Sequence, residues 1–338
     1  MKSFDYCIFI GRFQPFHLGH EYILRESLAR AETTIIVIGS HNKAPDIKNP
    51  WTSEHREEMI RSSLSKEDNK RIKFIFMRDY LYSENAWLID VQQKISDIVG
   101  DSEKIAIIGH EHDKSSYYLR SFPQWTFMPM KNIDKYSHAT DIRRLYFTHD
   151  TEYKKYVHPN TVNYLEQFKE TDKFKRLKEE FDFLKEYHSK WVGAPFKPIF
   201  HTVDCVVIKS GHVLLVRRKG KLGKGLLALP GGFLNADEEI KDAALRELRE
   251  ETVIKVSKED LELAIVDEKV FAHPMRSLRG RTITSVFLIN LKSGPLPKVK
   301  GNDDSEKSFW LPLNEVMQRE AEFFEDHFQI IGNLVNKF

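Results

Sequence analysis

Across its first half the chain alternates short apolar runs with stretches of helical spacing, and this alternation limits the fold more than any other feature. The runs are YCIFI (6–10), TTIIVIG (33–39), IKFIFM (72–77), KIAIIG (104–109) and WTFMPM (125–130). Each is strand-sized and rich in β-branched or aromatic residues. Between them, residues 20–31 place Ile23, Leu24, Leu28 and Ala31 on one face. TSEHREEMIRSSL opens on a capping Thr52 or Ser53, and ENAWLIDVQQKISDIV keeps a helical period. Strands that alternate with helices imply parallel pairing, so the expected fold is α/β, a doubly wound parallel sheet. Ligands of such sheets bind beyond the carboxyl ends of the strands.

The alternation stops near residue 150. NTVNYLEQF and FKRLKEEFDFLKEYHSKW are amphipathic and charged, and read as helices that close a first domain with their charges on solvated faces. VGAPFKP, with a glycine and two prolines, marks a linker at 192–198. Beyond it, HTVDCVVIK, HVLLVRR, LELAIVDEKVFA and RTITSVFLINL read as strands, with one helix at about 237–252 and a final one over 313–334. The expected organisation is a first domain over 1–191 and an α+β domain over 199–338, and a chain of 338 residues suits two cores.

A formal net charge of +2 argues against a dedicated nucleic-acid binder, though not against a site for one small nucleotide. The longest apolar runs fall far short of a membrane span, and MKSFDYCIFIGRF reaches glycine and arginine too early for a secretion signal. Cys7 and Cys205 lie in separate strand-like runs and read as small buried hydrophobes; reduced thiols suit the cytoplasm. The expected partners are small molecules, with no nucleic acid and no membrane, and the composition leaves a homo-oligomer open.

GRFQPFHLGH (11–20) follows the first strand. Gly11 allows a sharp turn and a close ligand approach, Pro15 fixes the loop, and His17 and His20 project to one side of a helix start. Unpaired N–H groups at a helix start favour anions. Two imidazoles there can donate to phosphate oxygens and stabilise a transferring phosphoryl group without any nucleophile. The stretch resembles the HxGH signature of the nucleotidyltransferase superfamily. YSHATDIRRLY (136–146) resembles that superfamily's later S/T-x-x-T-x-x-R element, with Ser137, Thr140 and Arg143 in its positions. Ser and Thr can cap a helix and donate to phosphate, and Arg143 offers a forked cation. The resemblance implies a Rossmann-like domain in which Gly11, Arg12, Phe13, His17, His20, Ser137, Thr140 and Arg143 bind ATP, with His17, His20 and Arg143 carrying the catalysis.

NPWTSEHR (49–56) resembles the N-P-[FW]-T segment of archaeal-type nicotinamide mononucleotide (NMN) adenylyltransferases, and RDYLYSENAWLIDV (78–91) resembles their Asp…Trp segment. By that resemblance Asp79 accepts hydrogen bonds from NMN and Trp87 stacks on its pyridinium ring. Core packing beside Leu88 and Val91 is an equal alternative for Trp87. GHEHDKSSYYLRSFPQW (109–125) shows a similar glycine after a strand, then a basic and aromatic stretch, without a clear role. The resemblance covers roughly residues 4–170 and implies transfer of AMP from ATP to NMN, with Mg²⁺ offsetting the triphosphate charge.

GGFLNADEEIKDAALRELREETVI (231–254) resembles the Nudix box, GX5EX7REUXEEXGU. Glu247, Glu250 and Glu251 fall at i, i+3 and i+4 on one helix face, where carboxylates repel unless a cation sits among them. With Gly232, they suit Mg²⁺ or Mn²⁺; Glu250 is also the catalytic candidate, and Arg246 can orient it. Ala243, Ala244 and Leu248 supply the buried side. Val253 stands where the box expects glycine, and its branched side chain resists positive φ. HPMRSLRGRTITSVF (273–287) resembles a P-x-R-x-x-R-G-R segment of ADP-ribose-directed Nudix proteins, which gives Arg276, Arg279 and Arg281 a role on ADP-ribose; a solvated basic turn competes. The catalytic base stays open between a box glutamate and an acid of GNDDSE (301–306).

The two resemblances, in this order, are those of bacterial bifunctional NMN adenylyltransferase/ADP-ribose pyrophosphatases. They imply NAD synthesis in the first half and metal-dependent ADP-ribose hydrolysis to AMP and ribose 5-phosphate in the second. Three alternatives remain: an ADP-ribose sensor without hydrolysis, NADH or another nucleoside diphosphate derivative as the Nudix substrate, or another nucleotidyl acceptor such as phosphopantetheine. The intact box glutamates and the short tail after WLPL favour an enzyme over a sensor.

Overall fold

The computed structural model describes residues 2–110, 118–130, 138–301 and 305–335, with the side chains of 305 and 306 outside that description. Contacts divide the chain into two compact units, Met1–Tyr80 with Glu84–Lys178, and Leu81–Ser83 with Glu179–Phe338.

In the first unit, β1 (Phe4–Gly11), β2 (Ala31–Ile38), β3 (Ile72–Phe76), β4 (Ile105–Gly109) and β5 (Thr126–Pro129) form one sheet in the order β3-β2-β1-β4-β5. Every pair in it is parallel. The helices of the first unit are α1 (Leu18–Arg30), α2 (Ser53–Ser62), α3 (Lys66–Lys70), α4 (Glu84–Val99), α5 (Ala139–Phe147) and α6 (Pro159–Lys169). A further helix, α7 (Asp172–Ser189), contains the Lys178/Glu179 division, whereas the sequence places a linker at 192–198. Ile8, Ile35, Val37 and Ile107 are fully buried, and so are their strand neighbours Cys7, Ile36, Ile38 and Ala106. A parallel sheet covered on both faces needs such unbroken apolar runs, which is why these strands were visible in the sequence. The strand order reverses between β1 and β4, and Gly11 lies at the carboxyl end of β1, where such a sheet opens a binding crevice.

In the second unit, β6 (Ile199–Lys209), β7 (His212–Arg218), β8 (Leu227–Ala228), β9 (Gly231–Phe233), β10 (Ile265–Phe271), β11 (Arg281–Leu291) and β12 (Ser305–Pro312) form a mixed sheet. Its main path is β10-β11-β6-β7-β12, with β8 on β7 and β9 on β6. Only the β11–β6 pair is parallel among the registered pairs. The helices are α8 (Ile240–Thr252), α9 (Lys258–Leu263), α10 (Leu313–Val316) and α11 (His327–Leu334). Along β6 the side chains alternate. Val203, Cys205 and Val207 pack with Ala243, Ala244 and Leu248 of α8, and Val206 packs with Phe328 and Ile331 of α11. Both units therefore agree with the α/β and α+β expectations, and the two free cysteines are buried in separate units. Among the described residues no helix is long and apolar enough to cross a membrane.

Two expected elements differ. LELAIVDEKVFA is not one strand: the Ser257 hydroxyl accepts the Asp260 N–H at 3.0 Å and caps α9. That helix buries Leu261, so β10 starts only at Ile265. The final helix over 313–334 is broken as well. Phe324 N–H donates to the Leu227 carbonyl at 2.8 Å and Phe323 bridges to Leu227. A backbone committed to a strand edge cannot also close helical turns. At the end of α8, Val253 adopts the left-handed conformation that glycine would take, with φ 45° and ψ 36°.

Candidate active sites

The first site grows from the turn after β1. His17 is the N-cap of α1, and its Nδ1 accepts the Gly19 N–H at 3.1 Å. That contact fixes a neutral ring with its proton on Nε2, a donor. Burial, then the neighbouring His138 and Arg143, hold its pKa down at about 3. The His20 ring lies 3.7 Å from His17, centroid to centroid. Its Nδ1 is shut from solvent and has no hydrogen-bond partner among the described residues. Burial and the adjacent His17 keep His20 neutral too.

Phe13 supports this pair from below. Its ring is 5.0 Å from that of His20, and its backbone is left-handed at φ 52°. A Cβ on Gly11 would meet the Phe13 ring at 2.8 Å, so Gly11 makes room for Phe13, a reason the sequence did not reveal. Arg12 is exposed beside them.

Arg143 reaches the same turn from α5. Its Nη1 donates to the Gln14 carbonyl at 2.6 Å and its Nη2 to Thr140 Oγ1 at 3.2 Å. Burial and the nearby Arg12 lower its pKa to about 10. The expected helix cap differs: His138 is the N-cap of α5 and Thr140 lies within the first turn. Ser137 lies outside the described residues.

NPWTSEHR is tied to this turn by contacts that sequence reasoning missed. Gln14 Nε2 donates to the Trp51 carbonyl at 2.8 Å, and Trp51 N–H returns a bond to Gln14 Oε1 at 3.2 Å. Arg56, 1% exposed, donates to the carbonyls of Arg12, Gly39, Ser40 and Thr52 and to Ser53 Oγ. One guanidinium thus pins the ends of β1 and β2 to the start of α2. Arg56 sits in the quoted motif, but nothing in its spacing says that its targets are backbone carbonyls.

The NMN candidates lie apart from the histidines in kind. Asp79 Oδ1 accepts from Ser40 Oγ at 3.0 Å, beside the end of β2. Trp87 is half-buried and shares a helix face with Val91 and Ile95, its ring 6.0 Å from Tyr118 and 6.1 Å from Phe122. From the unassigned stretch at 109–125, Leu119, Phe122 and Trp125 join that apolar cluster, and residues 111–117 lie outside the description. The first site as a whole presents neutral donors and cations, a donor set made for phosphate oxygens.

The second site is built around α8. Arg246 Nη2 and Nε clasp Glu238 at 2.7 and 2.9 Å, and its Nη1 reaches Glu247 at 2.8 Å and Glu250 at 2.9 Å. The expected Arg246–Glu250 contact is present, and the Glu238 clasp supplies the physical reason for the box's first glutamate. A Cβ on Gly232 would lie 2.4 Å from Glu247 Oε1, so a larger residue there would displace that carboxylate. Glu251, 8% exposed, accepts the Gly231 N–H at 3.0 Å. Burial, reinforced by Glu247 and Asp204, pushes its pKa up to about 8; burial also raises that of Glu247.

Among the described residues no three carboxylate, imidazole or thiol groups converge as a formed metal site, since Arg246 engages Glu247 and Glu250. The chemistry of the set still fits a hard divalent cation: clustered carboxylate oxygens, two of them under-compensated, beside glycines that leave open space. The acids of GNDDSE lie outside the described side chains.

A pocket beside the box is lined by Asp204, Arg218, Gly231, Gly232, Arg276 and Arg279 among others. The three arginine candidates separate here. Arg276 is buried in a two-toothed ion pair with Asp326, 3.0 Å at each contact, and Asp326 also accepts from the Tyr82 hydroxyl. Arg279 lies 4.8 Å over the Phe233 ring, with its Nε unpartnered among the described residues. Arg281 donates to the Ala272 carbonyl at 2.5 Å and does not line the pocket. Arg218, stacked 4.0 Å over Phe324, and buried Asp204, bonded to Thr284 Oγ1 at 2.6 Å, were not singled out from the sequence. Both are embedded in strand-like runs that read as core.

The chain matches two family models, cytidylyltransferase-like over residues 8–145 and the NUDIX domain over 199–332. It is 34% identical over 182 residues to the nicotinamide/nicotinic acid mononucleotide adenylyltransferase of Acinetobacter baylyi, covering 54% of this chain and 95% of that protein. It is 33% identical over 114 residues to the ADP-ribose pyrophosphatase of Methanocaldococcus jannaschii, 34% of this chain and 62% of that protein. The crystal structure of a bifunctional NMN adenylyltransferase/ADP ribose pyrophosphatase from Francisella tularensis, in complex with AMP and a manganese ion, superposes with a TM-score of 0.93. It is 39% identical and covers 99% of both chains. This chain belongs to the bifunctional NMN adenylyltransferase/ADP-ribose pyrophosphatase family.

Proposed function

We propose that the first unit transfers AMP from ATP to NMN, giving NAD and pyrophosphate, and that the second hydrolyses ADP-ribose to AMP and ribose 5-phosphate. The observation that carries this reading is the presence in one chain of two sites of opposite character. One is a turn of neutral imidazoles and arginine that accepts a triphosphate, and the other a carboxylate helix beside an arginine-lined pocket.

In the first site, the NMN phosphate attacks the α-phosphorus of ATP and pyrophosphate leaves, so positioning and charge stabilisation are the whole task. His17 Nε2–H donates to a phosphate oxygen from a ring that stays neutral across physiological pH. His20 lies against His17, and Arg143 supplies the permanent charge. Gly11, Arg12, Phe13, Ser137 and Thr140 complete the ATP side, and Asp79 and Trp87 the NMN side. The described donors suit phosphate more than metal, so Mg²⁺ here is carried by the triphosphate.

In the second site, Glu247, Glu250, Glu251 and the Gly232 backbone would hold Mg²⁺ or Mn²⁺, with Arg246 releasing Glu250 to it. When bound, the cation lowers the pKa of a water and offsets phosphate charge. Arg279 and Arg218 bind the diphosphate, and Arg276 and Asp326 brace that wall. Buried, reduced Cys7 and Cys205 suit a cytoplasmic enzyme.

A product assay tests this reading. Given ATP and NMN, the protein should release NAD and pyrophosphate; given ADP-ribose with Mg²⁺ or Mn²⁺, it should release AMP and ribose 5-phosphate. Binding of ADP-ribose without cleavage under either metal would favour the sensor alternative for the second unit.

A further inference from the structure

One group in the second unit has no part in the chemistry above. His327, the first residue of α11, is 6% exposed and lines the pocket that also contains Arg218, Gly231, Gly232 and Arg279. Its Nδ1 accepts the Leu229 N–H at 2.9 Å. That bond fixes the tautomer, because a ring nitrogen that accepts from an amide has no proton, so the single proton of the neutral ring lies on Nε2. Nε2 has no hydrogen-bond partner among the described residues. It is not among the buried unpartnered atoms, so it opens to solvent at the pocket wall, where a donor of one fixed tautomer is available to a ligand oxygen that replaces water.

The surroundings define that ligand's chemistry. Arg218 and Arg279 face this pocket together with Asp204 and Glu325, Arg276 is paired with Asp326 behind it, and Arg279 Nε is a second unpartnered donor on the same pocket. Donors without matching acceptors call for oxygens that carry negative charge or lone pairs, as in phosphate or ribose. Gly231 and Gly232 belong both to this pocket and to the box, so a molecule in the pocket lies against the residues that serve the carboxylates. Burial, the first of several causes, holds the His327 pKa at about 3, so the ring is a donor of one fixed form throughout the physiological range.

We infer that His327 is a substrate-binding residue of the second site, donating its Nε2–H to an oxygen of a bound nucleoside diphosphate. The inference rests on the reading of that site as an ADP-ribose hydrolase. Asp326 and His327 then divide one task between neighbours: Asp326 braces Arg276, and His327 closes on the ligand.

Two variants separate donation from folding. In His327→Asn the amide oxygen can replace Nδ1 toward Leu229 while the Nε2–H is lost; in His327→Gln the amide N–H can reach the Nε2 position. Loss of one such bond corresponds to a KM increase of about tenfold for ADP-ribose in the Asn variant, with kcat little changed and recovery in the Gln variant. An Asn variant with unchanged KM, or equal impairment of both variants at unchanged melting temperature, would overturn the inference. The unmutated protein gives an independent readout. With ¹⁵N-histidine labelling and EDTA present to prevent turnover, the Nε2–H resonance of His327 should move on addition of ADP-ribose; a resonance that stays fixed while others respond contradicts the contact. If the unmutated protein fails to hydrolyse ADP-ribose with either metal, the hydrolase reading is what fails, and the labelled titration still decides whether His327 meets the ligand.

Discussion

Arg56 in the first site and Arg246 in the second both spend their guanidinium on protein partners, and the two are used in opposite ways. Arg56 is 1% exposed and most of its partners are backbone carbonyls. Arg246 is partly exposed and its partners are mainly the carboxylates of Glu238, Glu247 and Glu250. The first arginine fixes where the chain runs, and the second fixes where charge sits. A phosphate-gripping turn needs backbone held in one shape, because its donors are amides and rings. A carboxylate site needs like charges held together until a cation takes them.

The sharpest way to break this comparison is to remove each arginine's charge. Arg56→Met leaves several buried carbonyls unpaired and should cost on the order of 3–5 kcal/mol, unfolding the first unit or abolishing NAD synthesis. Arg246→Met should change the melting free energy by only about 1 kcal/mol, because its ion pairs are partly solvated, yet strongly reduce hydrolysis. Denaturant melts alongside both assays check the pair, and equal destabilisation by both changes would erase the distinction.

An intermediate effect comes from Glu251. Its folded pKa of about 8 lies above its ordinary value of 4.5, so the native state holds that proton more tightly than the unfolded chain does. Without metal, the stability it contributes is fully present below about 4.5 and is lost as the pH rises through about 8. The melting temperature of metal-free protein should therefore fall between pH 6 and 8.5, Mn²⁺ should restore it most at the alkaline end, and Glu251→Gln should flatten the slope. The smallest effect belongs to the left-handed Val253. Val253→Gly removes the steric strain and should stabilise the protein by about 1 kcal/mol, less the entropy that glycine restores to the unfolded chain. A destabilised Gly variant would mean that the valine side chain contributes packing that outweighs its backbone strain.

Legibility followed the same division. The parallel strands could be read because burial on both faces makes each an apolar run, and the box could be read because its charges recur at helical spacing. LELAIVDEKVFA misled because a short helix runs into a strand with no turn residue between them, and only Ser257, the cap at the start of that helix, signalled it. The last helix misled because the pairing of Phe323 and Phe324 with Leu227 joins residues nearly a hundred positions apart. Gly11 has a second reason that its spacing did not reveal: it makes room for the Phe13 ring, a contact two residues away that depends on a left-handed backbone. Arg56, Arg218 and His327 escaped notice because their roles rest on a carbonyl, a ring or an amide brought near only by folding.

The central claim, two chemistries in two separate sites, is tested most directly by one crossed assay of His20→Ala and Glu250→Gln. His20→Ala should lower NAD synthesis by about 10²–10³-fold or more and leave ADP-ribose hydrolysis intact, and Glu250→Gln should do the reverse. Loss of both activities in either variant, at unchanged stability, would contradict the account.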